Sequence, residues 1–440
     1  SKMSWKDAYK RKLVSVGDAA AVIKSNDRIW YSPCSSAPLD LINAICKRKD
    51  ELKNVTMFSA LVLHPFEYFK AEYKGHISHT TLFLGPLERK MLDQGNIEVL
   101  SYQFAHSDWL TENIIKPTVF VADVAPPDQN GNFSFGAVGA FNGHTAARCA
   151  DRIVLQVNSE QPFVYGSKEA FINIEDVDYI CEQDHKIAEL PKIPITDVEK
   201  TIANKIVSFI ENGSTFQIGV GGLSNAIGFF LEHHKDLGIH TEMLVDSMVT
   251  LAEKGIVTGK NKTLYPGEIT CSFGIGARKL YDFMHKNKSL KAYPISYIGD
   301  ENVIARNNQF VAINNAIMCD LSGQVCAESI GFSQFSCTGG QVNFVRGARM
   351  SPGGKSFLVL ESTTKKADGA MISKIVTAFP PGAVVTTPRS DVDYIVTEYG
   401  AAHLRGKTIP ARVKEMINIA HPDFREQLMK EAKENKLLID

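Results

Sequence analysis

The sequence predicts an α/β protein folded as two similar open α/β domains, one in each half of the chain, and three observations predict it. At 440 residues the chain exceeds the roughly 250–300 at which a single core stops growing, and 44% hydrophobic residues are enough to fill two. Short β-branched runs alternate with helical stretches along its length, the pattern of α/β layering. One stretch also occurs twice. AAVIKSNDRIWYSPCSSAPLDLINAI around Ile23 and VSFIENGSTFQIGVGGLSNAIGFFLE around Ile210 share an apolar helix end, a polar turn, a strand, a small-residue loop and an apolar helix. Aligned without a gap, Ile23 meets Ile210, an offset of 210 − 23 = 187 that carries Ser32 to Gly219, Leu39 to Ala226 and Val55 to Glu242. The aligned position is a carboxylate in the second copy alone, so Glu242 is the first candidate for chemistry.

Four- to six-residue apolar runs predict strands at 28–32, 55–59, 98–102, 119–124, 152–157, 215–218, 241–245, 310–314, 323–327, 356–360, 383–386 and 394–397. Their continuous apolar character fits strands covered on both faces. Helical periodicity predicts helices at 16–25, 38–47, 86–94, 197–210, 225–234, 280–288 and 421–435. LPKIP, within 187–195, places two prolines just before the repeat restarts, so the linker falls there and the domains are 3–194 and 195–440.

Lys+Arg 48 against Asp+Glu 49 leaves a net charge of −1 with no long run of either sign, which argues against nucleic acid or an anionic membrane surface as the main partner. No apolar stretch approaches the roughly 18–20 residues of a membrane span. Ser1 and Lys2 ahead of Met3 read as an expression remnant, and no signal peptide follows. The eight cysteines show no C-x-x-C pair or zinc spacing, so they read as buried small hydrophobes of a reducing, cytoplasmic compartment. His233, His234 and His240 are expected as surface or capping residues, and no metal site is expected.

Two glycine-rich regions carry candidate chemistry. In the first, Gly219, Val220, Gly221, Gly222 and Leu223 lie between a strand and a helix. Glycines there let backbone N–H groups face a phosphate, or an oxyanion formed on a thioester carbonyl; tight strand–helix packing is the plain alternative. Gly219-x-Gly221-x-x-Ser224 also approaches the dinucleotide fingerprint, with Glu242 at 242 − 221 = 21 residues beyond, which keeps an NAD-dependent oxidoreductase open. Against that, Ser224 replaces the third glycine. The second region, from Ser336, gathers Gly339, Gly340, Arg346, Arg349, Gly353, Gly354, Lys355, Lys365 and Lys366. It suits a large polyphosphate such as coenzyme A, or is a basic surface loop.

GVGGLSNA, LGIHTEMLVDS, CDLSGQVCAESIGFSQFSCTGGQVNFVRGARMSPGGKS, MISKIV, DYIVTEYG and the first-half VAPPDQNGNFSFG together resemble the acetyl-CoA hydrolase/transferase family, and within it the 4-hydroxybutyrate and butyryl-CoA:acetate CoA-transferases. The resemblance covers nearly all of residues 3–435. It implies a tandem duplicated CoA-transferase fold with the active site in the cleft between the domains and the covalent glutamate at Glu242. It implies a CoA-binding loop at Gly219 to Leu223 and further CoA contacts at Ile317, Gly339, Gly340 and Lys365; the Gly221 and Gly222 N–H groups are the candidate oxyanion donors within that loop. Ser247 departs from the glycine of several relatives. The implied reaction is ping-pong transfer of CoA from a short-chain acyl-CoA to a carboxylate such as acetate, with CoA as substrate and product, no permanently bound cofactor, no metal and a homodimeric enzyme. Glu328 and Glu398 are rival nucleophiles, and an acyl-CoA hydrolase or a noncatalytic CoA sensor are rival functions. First-half candidates for the acyl pocket are residues 61–68, with His64 and Glu67, and the Pro126-Pro127-Asp128 loop.

Overall fold

The computed structural model describes residues 4–439, so the three residues read as a remnant and a start lie outside it. The chain forms two compact units. The first runs to Pro191 and takes up Thr270–Ile298; the second holds Lys192–Ile269 and the chain from Gly299 onward. A single cut near residue 194 leaves out that return of Thr270–Ile298 to the first unit. Backbone bonds fix it there: Ala140 N donates to Ser272 O (3.1 Å), Ala292 N to Tyr165 O (2.9 Å) and Ile295 N to Phe141 O (3.0 Å).

The first unit is built on a seven-stranded sheet in the order Ile97–Val99, Ile77–Thr81, Val55–Ser59, Arg28–Tyr31, Val119–Val124, Arg152–Val157, Tyr179–Glu182. All its strand pairs are parallel. The second unit orders Gly238–Leu244, Thr215–Ile218, Phe310–Asn315, Lys355–Val359, Tyr394–Thr397 and Gly400–His403, parallel except for the antiparallel last strand. Every residue of Val119–Val124 and of Gly238–Leu244 is buried, polar ones included, so neither strand shows the alternating exposure of a half-covered sheet.

In the first unit the leading strand Arg28–Tyr31 lies between Val55–Ser59 and Val119–Val124, and in the second Thr215–Ile218 lies between Gly238–Leu244 and Phe310–Asn315. Connections leave to opposite sides at that point, and open parallel sheets bind ligands in the crevice beyond the strand carboxyl ends there. In the second unit the position falls at the ends of Thr215–Ile218 and Phe310–Asn315.

Register corrects the gap-free alignment. The leading strands do superpose at the offset of 187, since 28 + 187 = 215 and 31 + 187 = 218. Their neighbours do not. Trp30 pairs with Phe58, a step of 28, whereas Phe216 pairs with Ile239, a step of 23. Carried just past the leading strand's end, the same steps set Gly219 level with Glu242 and Ser32 level with Ala60. The counterpart of Glu242 is therefore buried Ala60, not Val55, because the first copy has a connection 28 − 23 = 5 residues longer.

Most strands stand where the apolar runs put them. Residues 383–386 form no strand and 323–327 shrinks to Val325–Cys326. The helix expected over 16–25 ends at Ala20, and Asn26 turns the chain with φ +70. Strands Ile77–Thr81 and Ile269–Gly274 and helices Asp246–Glu253, Gln341–Met350 and Ile409–Ile419 went unread. No helix among the described residues is long and apolar enough to cross a membrane.

Candidate active site

Glu242 sits near the carboxyl end of Gly238–Leu244 and is 3% exposed. Its Oε2 has no hydrogen-bond partner, and burial pushes its pKa up to about 8. A buried polar atom without a partner is costly, so the fold keeps this carboxyl for a reason other than its own stability. Behind it lies Gly340. A Cβ on Gly340 would run into Oε2 and stand 3.0 Å from Cδ, so glycine is needed there to leave the carboxyl its place. Gly340 is also the N-cap of the ten-residue helix Gln341–Met350, whose first-turn N–H groups lack partners within the helix. The start of that helix therefore lies directly against the Glu242 carboxyl.

The loop of Gly219, Val220, Gly221, Gly222 and Leu223 is shaped by Asn315 at the end of Phe310–Asn315. Asn315 Nδ2 donates to Val220 O (3.0 Å) and Ser224 Oγ (2.7 Å), while its Oδ1 accepts from Ser224 N (3.0 Å). Ser224 Oγ in turn donates to Gly219 O (2.9 Å) and Gly221 O (3.2 Å). Gly221 has φ +141, and a Cβ there would come within 2.6 Å of Asn315 Cγ, so two constraints demand glycine. At Gly222 a Cβ would meet nothing within 4 Å. Packing does not explain that glycine, and both Gly221 and Gly222 are exposed with their backbone open to a ligand. The helix Gly222–Gly228 that follows is only seven residues long, so its dipole adds less than the sequence implied.

Gln341 joins the two glycine-rich segments. Its Nε2 donates to Asn315 O (2.7 Å) and its Oε1 accepts from Thr387 Oγ1 (2.9 Å), tying the loop-shaping asparagine to the start of the helix that Gly340 caps. Glu242, the Gly219 loop, Asn315 and Gly340 thus gather at the carboxyl ends of the second unit's strands. Ile317 follows two residues after Phe310–Asn315 and is half-buried; Gly339 precedes Gly340 with φ +56. Lys365 is exposed on the hairpin of Thr363–Lys365 with Met371–Ser373.

The basic region is not one loop. Arg346 and Arg349 lie on the helix and grip Asp391 at 3.0 and 2.6 Å, and Lys355 donates to Phe209 O at 2.9 Å, so these three cations are spent on structure. Lys365 and Lys366 remain unpaired among the described residues. Glu328, a rival nucleophile, accepts from Thr338 Oγ1 (3.1 Å), and Glu398 accepts from Ser362 N (2.7 Å). His240 is wholly buried rather than at the surface, whereas His234 does cap, through Nε2 and Ile210 O at 2.8 Å. In the first unit, Glu67 pairs with Lys70 (2.9 Å) and Asp128 accepts from Asn130 N and Asn132 N within its own turn, while His64 is half-buried. Sequence reasoning missed Asn315, Ser224 and Gln341. The Asn-Asn pair closing the apolar run FVAI was the signal at hand.

The family models for the N-terminal and C-terminal domains of acetyl-CoA hydrolase/transferase match residues 1–191 and 276–432. The chain is 39% identical over 432 residues to 4-hydroxybutyrate coenzyme A transferase of Clostridium kluyveri, covering 98% of this chain and 99% of that one. It is 38% identical over 443 residues to butyryl-CoA:acetate CoA-transferase of Anaerostipes caccae, covering 99% of each. The crystal structure of RipA from Yersinia pestis matches with a TM-score of 0.93 at 30% identity, over 99% of this chain and 100% of that one. The nucleotide reading of Glu242 loses its ground on the same residues, since Ser224 fills the third-glycine position with hydrogen bonds and the carboxyl is buried. With a buried, partnerless glutamate set against Gly340 and full-length likeness on both halves, the chain belongs to the acetyl-CoA hydrolase/transferase family.

Proposed function

We propose that this protein is a CoA-transferase that moves CoA between a short-chain acyl-CoA, 4-hydroxybutyryl-CoA or butyryl-CoA, and a carboxylate such as acetate, with Glu242 as the covalent nucleophile. The observation that carries the reading is the carboxyl of Glu242 itself: buried, without a partner, and given its space by a glycine. The names of the full-length relatives support the transferase over the hydrolase.

In this reading ionised Glu242 attacks the thioester carbonyl, its oxygen bonding to the acyl carbon as the C–S bond breaks, which leaves an acyl–glutamyl anhydride and CoA thiolate. The thiolate then attacks the glutamyl carbonyl, forming a glutamyl-CoA thioester and releasing the acyl group as its carboxylate. An acceptor carboxylate reverses the sequence and leaves as a new acyl-CoA. One thioester replaces another, so no ATP is consumed. Gly221 and Gly222 N–H groups hold the oxyanion that forms in each attack. Burial protects the glutamyl thioester from water, which separates transfer from hydrolysis. It also keeps most of the free enzyme's Glu242 protonated at neutral pH, so kcat/KM rises with pH through an apparent pKa near 8. The reading carries with it a cytoplasmic homodimer of fermentative metabolism that uses CoA as substrate and product, with Lys365, Ile317 and Gly339 among its contacts.

The test is to incubate the protein with butyryl-CoA, reduce with borohydride and map the altered peptide. Reduction at Glu242 is expected, and a tag on Glu328 or Glu398 instead would overturn the assignment. Butyryl-CoA turnover should need acetate; loss of thioester without it would favour the hydrolase.

A further inference from the structure

A second cluster of titratable groups stands at the carboxyl edge of the second unit's sheet, and the transfer reaction does not use it. Glu361 lies two residues past Lys355–Val359, and Glu398 lies one past Tyr394–Thr397. Lys374 closes the hairpin that bears Lys365, which pairs with Met371. Ser362 ties the cluster together: its O accepts from Lys374 N (2.8 Å) and its N donates to Glu398 Oε1 (2.7 Å). The Ser362 hydroxyl is itself wholly buried with no hydrogen-bond partner. The Lys374 side chain is part-buried, and its Nζ makes no hydrogen bond or ion pair among the described residues.

We propose that Lys374 is a site of self-acylation, where its amine takes the acyl group from an acyl-CoA to form a stable amide. The inference rests on the reading that this chain handles acyl-CoA. A lysine needs two properties for this, a free electron pair and no partner holding it. Burial lowers the Lys374 ammonium below the usual lysine range; Glu361, Cys319 and Glu398, the groups that face it, oppose that shift without reversing it. Burial also raises Glu361, which weakens its pull on the ammonium. The neutral amine attacks the thioester carbonyl, the C–N bond forms as C–S breaks, and CoA departs as thiolate, which takes up the proton lost from nitrogen through solvent. The added acyl group crowds the base of the hairpin that bears Lys365, so acylation lowers affinity for acyl-CoA.

The full-length protein is incubated with butyryl-CoA, treated with hydroxylamine, which cleaves glutamyl thioesters and anhydrides but spares amides, and digested for mass spectrometry. A hydroxylamine-stable butyryl group is expected on Lys374, accumulating faster than on exposed Lys365 and Lys366 because burial favours its neutral amine. The KM for butyryl-CoA of the wild-type protein should rise during incubation while that of Lys374→Arg stays constant. Acylation of Lys365 and Lys366 with Lys374 untouched overturns the proposal. Glu242→Gln separates it from the catalytic reading: that variant should lose turnover and keep the Lys374 adduct. A borohydride tag on Glu242 with no amide on Lys374 sinks this inference alone, and the reverse pattern sinks the catalytic reading alone.

Discussion

The turns after the leading strands of the two units are one design finished in two ways. In the first unit Ser32 Oγ donates to Ser36 O and accepts from Asp123 N (3.0 Å), Ser36 Oγ accepts from Val138 N (2.9 Å), and Ser35 Oγ donates to Gly274 O (3.2 Å). Cys34 completes the turn with φ +57 and a bond from its N to Ala60 O (3.1 Å), and all these side chains are buried. In the second unit the corresponding turn is glycine, exposed at Gly221 and Gly222, and closed from outside by Asn315. The neighbouring strand is followed by Ala60 in one unit and carries Glu242 in the other. Where the first unit buries an acid at this place, it holds one carboxyl oxygen: Asp123 Oδ2 accepts from Asn158 (3.0 Å) and Gln161 (2.8 Å) and stands 3.2 Å from His185, while Oδ1 is left without a partner. The first unit's turn spends its hydroxyls on its own backbone, whereas the second leaves Gly221 and Gly222 exposed beside the partnerless Oε2 of Glu242.

The strongest attempt to break that contrast is Glu242→Gln, which should lower kcat by about 10⁴-fold or more with the fold intact. It also carries a stability signature. Glu242 titrates above its ordinary 4.5, so its contribution is fully present below about pH 4.5 and is lost as pH rises through about 8. Glutamine does not titrate, so the Tm of the variant should gain on the wild type between about pH 5 and 9. An unchanged Tm gap across that range would mean that Glu242 is not held protonated.

Gly340→Ala comes next. The added methyl displaces the carboxyl, and a shift of about 1 Å at the reacting group costs about 10²-fold in kcat. Equal activity would show that Glu242 swings to another position to react. Asn315→Ala unties Val220 and Ser224, each bond being worth about 1 kcal/mol, so the KM for acyl-CoA should rise about tenfold with a smaller change in kcat. The smallest effect on activity belongs to the first unit. Ser36→Ala leaves Val138 N without its acceptor and costs about 1–3 kcal/mol in denaturant unfolding while kcat stays within about twofold. A loss of activity larger than the loss of stability would assign the first unit's turn a share of the chemistry.

The sequence by itself determined most of the buried strands and the nucleophile candidate. Parallel strands covered on both faces must be apolar throughout, so Val55–Ser59, Val119–Val124, Arg152–Val157, Thr215–Ile218 and Tyr394–Thr397 could be read residue by residue. The repeat and the motifs around it pointed to Glu242 and to the Gly219 loop, because side-chain chemistry and glycine spacing are local properties. Tertiary structure decided what those residues face. That Gly340 makes room for a carboxyl nearly a hundred positions earlier, that Asn315 closes the loop at Val220, and that Thr270–Ile298 returns to the first unit are long-range contacts that leave no periodic trace. The five-residue difference in strand register, which exchanges Val55 for Ala60 as the partner position, was equally hidden, since a connection's length changes pairing without changing the pattern of the strands it joins.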